Sequence, residues 1–163
     1  MNLLVLSMWT AMGIGCDWRS QRLPNAVTVG GMACALPYFV LCGQGPLGVA
    51  WLPSVLAGVA ALLILLPPYA VHAMGAGDVK FFVAMGLLGG PAILVPTFLI
   101  GSVFAGGLAV GMLVYNRQFP SLVLVLHRFG VSINAAPWTR LPFGVPLGAG
   151  FLFAIWGDYG GLL

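Results

Sequence analysis

Long apolar runs fill most of this chain, and they constrain its fold more than any other feature. The runs lack the polar–apolar alternation of barrel strands, and 61% of the 163 residues are hydrophobic while only 6% are charged. A chain of this composition cannot cover a core with a polar surface, so the sequence predicts an integral membrane protein. Lipid offers no hydrogen-bond partners to the backbone, and the runs are therefore predicted to be helices.

We predict an all-α membrane protein of about six transmembrane helices, forming a single membrane-embedded domain over residues 1–163. Pro24 is well placed to open the second helix, Pro67-Pro68 should end the third, and Gly89-Gly90-Pro91 should turn the chain after the fourth. The approximate spans are 3–16, 25–42, 49–66, 78–88, 93–115 and 141–156. The one sizeable loop is 116–140, where the apolar stretch 121–129 is too short to span and fits the membrane interface.

The few basic residues predict the orientation. Arg19 and Arg22 follow the first helix, Lys80 opens the fourth, and three arginines lie in or at the end of the 116–140 loop. With six helices all of them fall on one side, which the positive-inside rule makes cytoplasmic, with both termini periplasmic. This pattern predicts a multi-pass protein of the bacterial cytoplasmic (inner) membrane. The net charge of +3 reads as a topology signal and does not indicate nucleic-acid binding.

Two aspartates stand out against this apolar background. Asp17 ends the first helix and Asp78 begins the fourth, so the topology puts both at the cytoplasmic face, while Asp158 falls on the opposite face. Acids embedded in a membrane are functional candidates by default. Two carboxyls that approach closely share a proton, and such a pair can activate water for hydrolysis. We therefore predict that Asp17 and Asp78 are catalytic.

The same placement leaves other functions open. The two acids could compensate nearby arginines, or serve a small proton- or ion-coupled membrane transporter. Transporters usually place such groups near the bilayer midplane and often contain inverted repeats, neither of which is evident here. A non-catalytic membrane subunit of a secretion machine is a third class, and it would not need both aspartates.

The neighbours of the two acids are candidate substrate-binding residues. Gly75 and Gly77 would let a peptide backbone approach Asp78, although a turn or close helix packing would also explain them. Lys80 is expected to extend toward the lipid headgroups, with substrate contact as the alternative. Asn25 is expected to cap the second helix, and Pro24 precedes it.

The sequence predicts no metal site and no cofactor. Its three cysteines form no CxxC pair, and its two histidines have no cysteine or acid cluster nearby. The residues concerned are Cys16, Cys34, Cys42, His72 and His127.

Three segments together resemble the type IV prepilin peptidases. Asp17 followed by Arg22-Leu23-Pro24-Asn25 resembles the first signature of that family. Gly75-Ala76-Gly77-Asp78-Val79-Lys80 resembles the second, the GxGD-x-K signature. The segment 140–150 is similar to the closing helix of the short members. The match runs through nearly the whole chain in order and spacing, which makes it far more specific than either signature alone.

The resemblance implies an intramembrane aspartic protease of the GxGD type, with Asp17 and Asp78 as its catalytic pair. It implies prepilin or pseudopilin substrates, cleaved after a glycine where a short cytoplasmic leader meets the hydrophobic helix, and an indirect link to a pilus assembly system. Longer family members carry an N-terminal domain with paired CxxC motifs that is associated with N-methylation. We expect no such zinc/methyltransferase domain here, which fits the peptidase-only branch of Flp-type, Tad-like systems.

Overall fold

The computed structural model describes residues 2–20, 23–72, 74–115 and 143–161, and over these ranges the chain is a bundle of helices. The only strand-like feature in the described ranges is one isolated bridge between Gln44 and Ala50. The predicted all-α class is therefore confirmed. The helices are α1 (Asn2–Ser20), α2 (Asn25–Cys42), α3 (Trp51–Ala70), α4 (Ala76–Tyr115) and α5 (Gly144–Tyr159).

Some predicted features lie outside the described residues. These are Arg22, the 116–140 loop with its apolar stretch 121–129, His127, and the first residues of the predicted sixth helix.

The outer surface of the bundle is apolar, as a membrane protein requires. Within the described ranges, three helical stretches are long and apolar enough to cross a bilayer: Asn25–Cys42, Trp51–Ala70 and Ala76–Met112. Large apolar side chains such as Leu41 on α2 and Val103 on α4 lie more than three-quarters exposed on the outside. A protein surrounded by water rarely exposes so much contiguous apolar surface, which supports a membrane location.

Helix α4 folds back on itself at Gly90. Gly90 has φ 72° and ψ −175°, a conformation that glycine adopts without strain and that breaks the helix. The rings of Phe82 and Phe98, one on each side of the break, lie 5.9 Å apart. On a straight helix these residues would be about 24 Å apart along the axis. The predicted turn is therefore confirmed, and α4 supplies the predicted fourth and fifth helices as two segments, 76–89 and 91–115.

Helix α3 continues past the prolines that were predicted to end it. Pro67 and Pro68 lie inside α3, which ends at Ala70. A proline fixes φ at a value compatible with a helix, and its carbonyl can still accept a hydrogen bond from a residue further along the chain. The Pro67 carbonyl accepts a hydrogen bond from the Val71 amide at 3.2 Å, which closes one further turn. His72 then takes a left-handed φ of 58° and ends the helix.

Helix α4 is the centre of the bundle and packs against α2, α3 and α5, while α1 packs against α5 and α2. Small residues let the backbones approach closely, as is typical of membrane helices. A Cβ at Gly86 would lie 2.8 Å from the Ala57 carbonyl oxygen on α3, and one at Gly150 would lie 2.5 Å from the Thr97 oxygen on α4. Between them, Phe81, Phe82, Met85 and Phe151 form a fully buried core.

Different elements meet at the two ends of the bundle. At one end the last turn of α1, the first turn of α4 and the start of α5 come together. At the other end, the Gly45 amide donates a hydrogen bond to the Val49 carbonyl at 2.6 Å and closes a turn. Val49 packs against Gly90 from this turn. Asp158 lies in the last turn of α5, roughly 21 Å along the helix from Gly144. The chain therefore separates Asp158 from the other two aspartates, as the topology predicts.

Candidate active site

Asp17 is a buried acid that faces the beginning of α5. It lies in the last turn of α1, and only 3% of its surface is exposed. The Val145 amide donates a hydrogen bond to Asp17 Oδ2 at 3.2 Å, and the neighbouring Gly144 amide also interacts with this carboxyl. These amides belong to the first turn of α5, where N–H groups have no partners within their own helix. The carboxyl thus compensates for its burial with main-chain donors from a distant part of the chain.

Asp78 lies in the first turn of α4 and is half-buried. Its Oδ2 accepts a hydrogen bond from the Gly75 amide at 3.2 Å, while its own amide donates to the Gly75 carbonyl at 3.2 Å. This reciprocal pair fixes the turn that leads into α4. An acid in the first turn also suits the positive end of the helix dipole.

The two carboxyls meet at the Gly144 amide. That single N–H interacts with both Asp17 and Asp78, and the charge of Asp17 acts directly on Asp78. Two carboxyls that interact in this way can share a single proton. The arrangement therefore supplies a base and an acid side by side, which is the chemistry needed to activate water and protonate a leaving group.

Gly144 and Val145 are functional candidates that the sequence reasoning missed. A Cβ at Gly144 would lie 2.9 Å from Asp17 Oδ2, so only glycine fits without moving the carboxyl. A signal was available, because Pro146 sits in the first turn of an apolar helix and proline favours that position. A helix start at membrane depth offers free amides to an acid. The sequence alone did not indicate which acid would reach them.

Gly77 has no side chain, and another segment of this chain packs into the space that this leaves. A Cβ at Gly77 would lie 3.1 Å from the Leu23 Cβ and 3.4 Å from the Leu23 carbonyl oxygen. Leu23 belongs to the connection between α1 and α2. The glycine thus lets this connection pack against the start of α4, directly beside Asp78.

Asn25 and Lys80, predicted separately, lie together. Lys80 Nζ donates a hydrogen bond to Asn25 Oδ1 at 3.2 Å. The predicted role of Asn25 as the cap of α2 is wrong, because Pro24 occupies the N-cap position and α2 has no side-chain cap bond. A charged amine is a stronger donor than a neutral main-chain amide, which explains why the Asn25 side chain turns to Lys80. The pair links α2 to the first turn of α4.

The cysteines and His72 are not gathered at the carboxyl pair. Cys16 neighbours Asp17 in sequence, whereas Cys34 and Cys42 are exposed on α2. Within the described ranges, no three side chains of His, Cys, Asp or Glu come together.

Comparisons with known proteins bear on this site. The model of the type IV leader peptidase family matches residues 4–110, which include both aspartates and about two-thirds of the chain. No curated protein and no solved structure matches the chain. A family match over so much of the sequence indicates a protease with prepilin peptidase activity. This membrane-type helical chain belongs to the type IV leader peptidase family.

Proposed function

We propose that this protein is an intramembrane aspartic endopeptidase that removes the cytoplasmic leader from type IV prepilins or pseudopilins, with Flp-type pilins as its substrates. The observation that carries the proposal is the meeting of the Asp17 and Asp78 carboxyls at one main-chain amide of α5. Family membership supports the peptidase over a proton- or ion-coupled transporter using the same acids. The site would lie at the cytoplasmic boundary of the inner membrane in a multi-pass protein.

The proposed mechanism needs two carboxyls and one water. The ionised aspartate takes a proton from the water, whose oxygen attacks the scissile carbonyl carbon while the protonated aspartate donates its proton to the carbonyl oxygen. Collapse of the resulting diol breaks the C–N bond, and the leaving amine takes a proton from the pair. The products are the leader with a new carboxyl terminus and the pilin with a new amino terminus. The scheme uses no metal and no cofactor.

The residues around Asp78 are proposed to receive the peptide. Gly75 is exposed, and because it has no side chain an extended substrate would approach Asp78 closely at this position. Gly77 and Pro24 shape the adjoining surface through the packing of the α1–α2 connection. The Lys80–Asn25 pair would lie next to the leader and offer it a cation and an amide.

Co-expression with candidate prepilins tests this function. The wild-type chain should remove the leader, measured as a mass decrease of the pilin. Asp17→Asn and Asp78→Asn keep the shape of each side chain but remove one partner of the acid–base pair, and each should lower the cleavage rate at least about a hundredfold. Asp158→Asn is the matched control, because Asp158 lies at the other end of the bundle.

All variants should insert in the membrane at comparable levels. Near-normal leader removal by either Asp17→Asn or Asp78→Asn would disprove the catalytic assignment. Loss of activity in Asp158→Asn as well would show that the assay reports general damage to the fold.

A further inference from the structure

The first turn of α5 contacts Asp17 through its main chain, and α5 lies beyond the family match, which ends at residue 110. We propose that the backbone amides of Gly144 and Val145 are positioning groups that hold the Asp17 carboxyl in its reactive orientation. This inference rests on the proposed function in one respect, which is that Asp17 takes part in hydrolysis.

The first step of the argument is the geometry of the donors. The Val145 amide lies 3.2 Å from Asp17 Oδ2, and the adjacent Gly144 amide interacts with the same carboxyl. An amide in the first turn of a helix has no acceptor in its own helix, so donating to Asp17 breaks no helical bond. Two neighbouring N–H groups on a rigid helix restrict the rotation of the carboxyl more than one donor on a loop would.

The second step is the way α5 is held against α1. Gly148, one turn further along α5, packs against Ile14 of α1, and the rings of Phe151 and Trp9 lie 6.4 Å apart. These contacts fix the register of the two helices. Because the donors are on one helix and the acceptor is on the other, that register determines where the Asp17 carboxyl points.

The third step is the requirement for glycine at position 144. A Cβ there would lie 2.9 Å from Asp17 Oδ2 and 3.0 Å from its Cγ. Contacts this short are not found for real Cβ atoms, so a side chain at 144 would displace the carboxyl. The same amide also interacts with Asp78, so Gly144 sets the position of Asp17 relative to its partner.

A proline at position 145 isolates the contribution of the main-chain donor. Val145→Pro removes the N–H that reaches Asp17, and proline is tolerated in the first turn of a helix. Val145→Ala removes the side chain but keeps the N–H, and it is the conservative comparison. In purified enzyme acting on a prepilin, Val145→Pro should lower kcat about tenfold to a hundredfold with KM little changed, because substrate binding does not use this amide. Val145→Ala should retain most of the wild-type kcat.

Infrared spectroscopy tests the contact without any substrate. The chain has only three aspartates and no glutamate, so the band lost in Asp17→Asn identifies the Asp17 carboxyl. That band should shift in Val145→Pro and keep its frequency in Val145→Ala. If the wild-type chain cleaves no prepilin, the proposed function fails while the infrared comparison still decides whether the amide holds Asp17.

A second pair of variants covers the case in which Val145→Pro does not insert. Gly144→Ala should shift the Asp17 band and lower kcat. Gly15→Ala adds a methyl group two residues before Asp17 at a position where the Cβ meets nothing within 4 Å, so it should leave the band in place. Equal infrared bands and equal kcat values for Val145→Pro and Val145→Ala would overturn the inference. Equal band shifts in Gly144→Ala and Gly15→Ala would overturn it too, since they would show that the band responds to any added methyl group near Asp17.

Discussion

Main-chain amides and glycines surround the carboxyls of Asp17 and Asp78. Asp17 is almost fully buried, and it accepts its hydrogen bond from the main chain of α5. Gly75 donates its amide to Asp78, and Gly77 lets Leu23 pack beside it. The absence of a side chain at these glycines permits the close approach of a carboxyl or of a neighbouring segment.

Gly77 yields a prediction at this scale. Val at position 77 would place its Cβ 3.1 Å from the Leu23 Cβ, and its two further methyl groups would push the α1–α2 connection away from α4. This overpacking would displace the connection that packs directly beside Asp78, so Gly77→Val should lower cleavage activity about tenfold or more. Membrane insertion should be retained, measured as the amount of folded protein recovered in detergent.

Gly106→Val is the matched control for Gly77→Val. A Cβ at Gly106 would meet no atom within 4 Å apart from the local backbone of its own helix, so this variant adds the same side chain where no other segment packs against the Cβ. Its activity should remain close to that of the wild type. Equal losses in the two variants would argue against a specific role for the packing at Gly77.

Among the elements, α4 contributes most to the architecture. Its bend at Gly90 lets one element supply two antiparallel segments, and its first turn carries Asp78. The first segment packs on α3 at Gly86, where an added Cβ would lie within 3.0 Å of backbone atoms of Ala57 and Gly58. Helices in lipid gain stability mainly from such close van der Waals packing, since lipid tails are as apolar as the side chains they would replace.

Gly86 therefore yields a prediction about stability. In Gly86→Val the Cβ would lie 2.8 Å from the Ala57 carbonyl oxygen and 3.0 Å from the Gly58 nitrogen, and backbone atoms cannot move aside as a flexible side chain can. The variant should lower the free energy of unfolding by about 1–3 kcal/mol, which thermal unfolding in detergent would detect as a lower Tm. Gly107→Val, at a position with nothing within 4 Å of the added Cβ, should unfold near the wild-type temperature. An unchanged Tm in Gly86→Val would contradict the tight α3–α4 contact.

Among the described residues, the basic side chains of Arg19 and Lys80 lie toward one end of the bundle, which bears on the orientation of the molecule in the membrane. Arg19, Asp17, Asp78 and the Lys80–Asn25 pair lie toward the end where α5 begins. The 43–50 connection at the other end carries no charge. By the positive-inside rule, the end with the carboxyl pair is expected to face the cytoplasm.

Cysteine labelling in a variant without native cysteines tests this orientation. A cysteine introduced at the exposed position Gln44 should react with an impermeant reagent added to intact spheroplasts, because the 43–50 connection is expected to be periplasmic. A cysteine at Gln118, in the predicted cytoplasmic loop, should react only after the membrane is opened. The reverse pattern would place the carboxyl pair on the outer face and contradict a site that cleaves cytoplasmic leaders.

The sequence by itself determined the class of structure and the identity of the two acids. Apolar runs without alternation require helices in lipid, and counting helices between Asp17 and Asp78 puts both acids at one end of the bundle. The break at Gly90 was also readable, because glycine followed by proline cannot continue a helix without interruption. The continuation of α3 through Pro67 and Pro68 could not be predicted, since a proline near a helix end is compatible both with termination and with one further turn.

Only the tertiary structure decided which groups surround the acids. The donors to Asp17 come from Val145 and Gly144, which lie more than a hundred residues away in sequence and act through main-chain N–H groups that every non-proline residue carries. No side-chain pattern can mark such donors. Asn25 joined Lys80 instead of capping α2 for a related reason. The capping preference of asparagine reflects only the amides of its own helix. The packing of α2 against α4 brings the charged amine of Lys80 within reach of the Asn25 side chain.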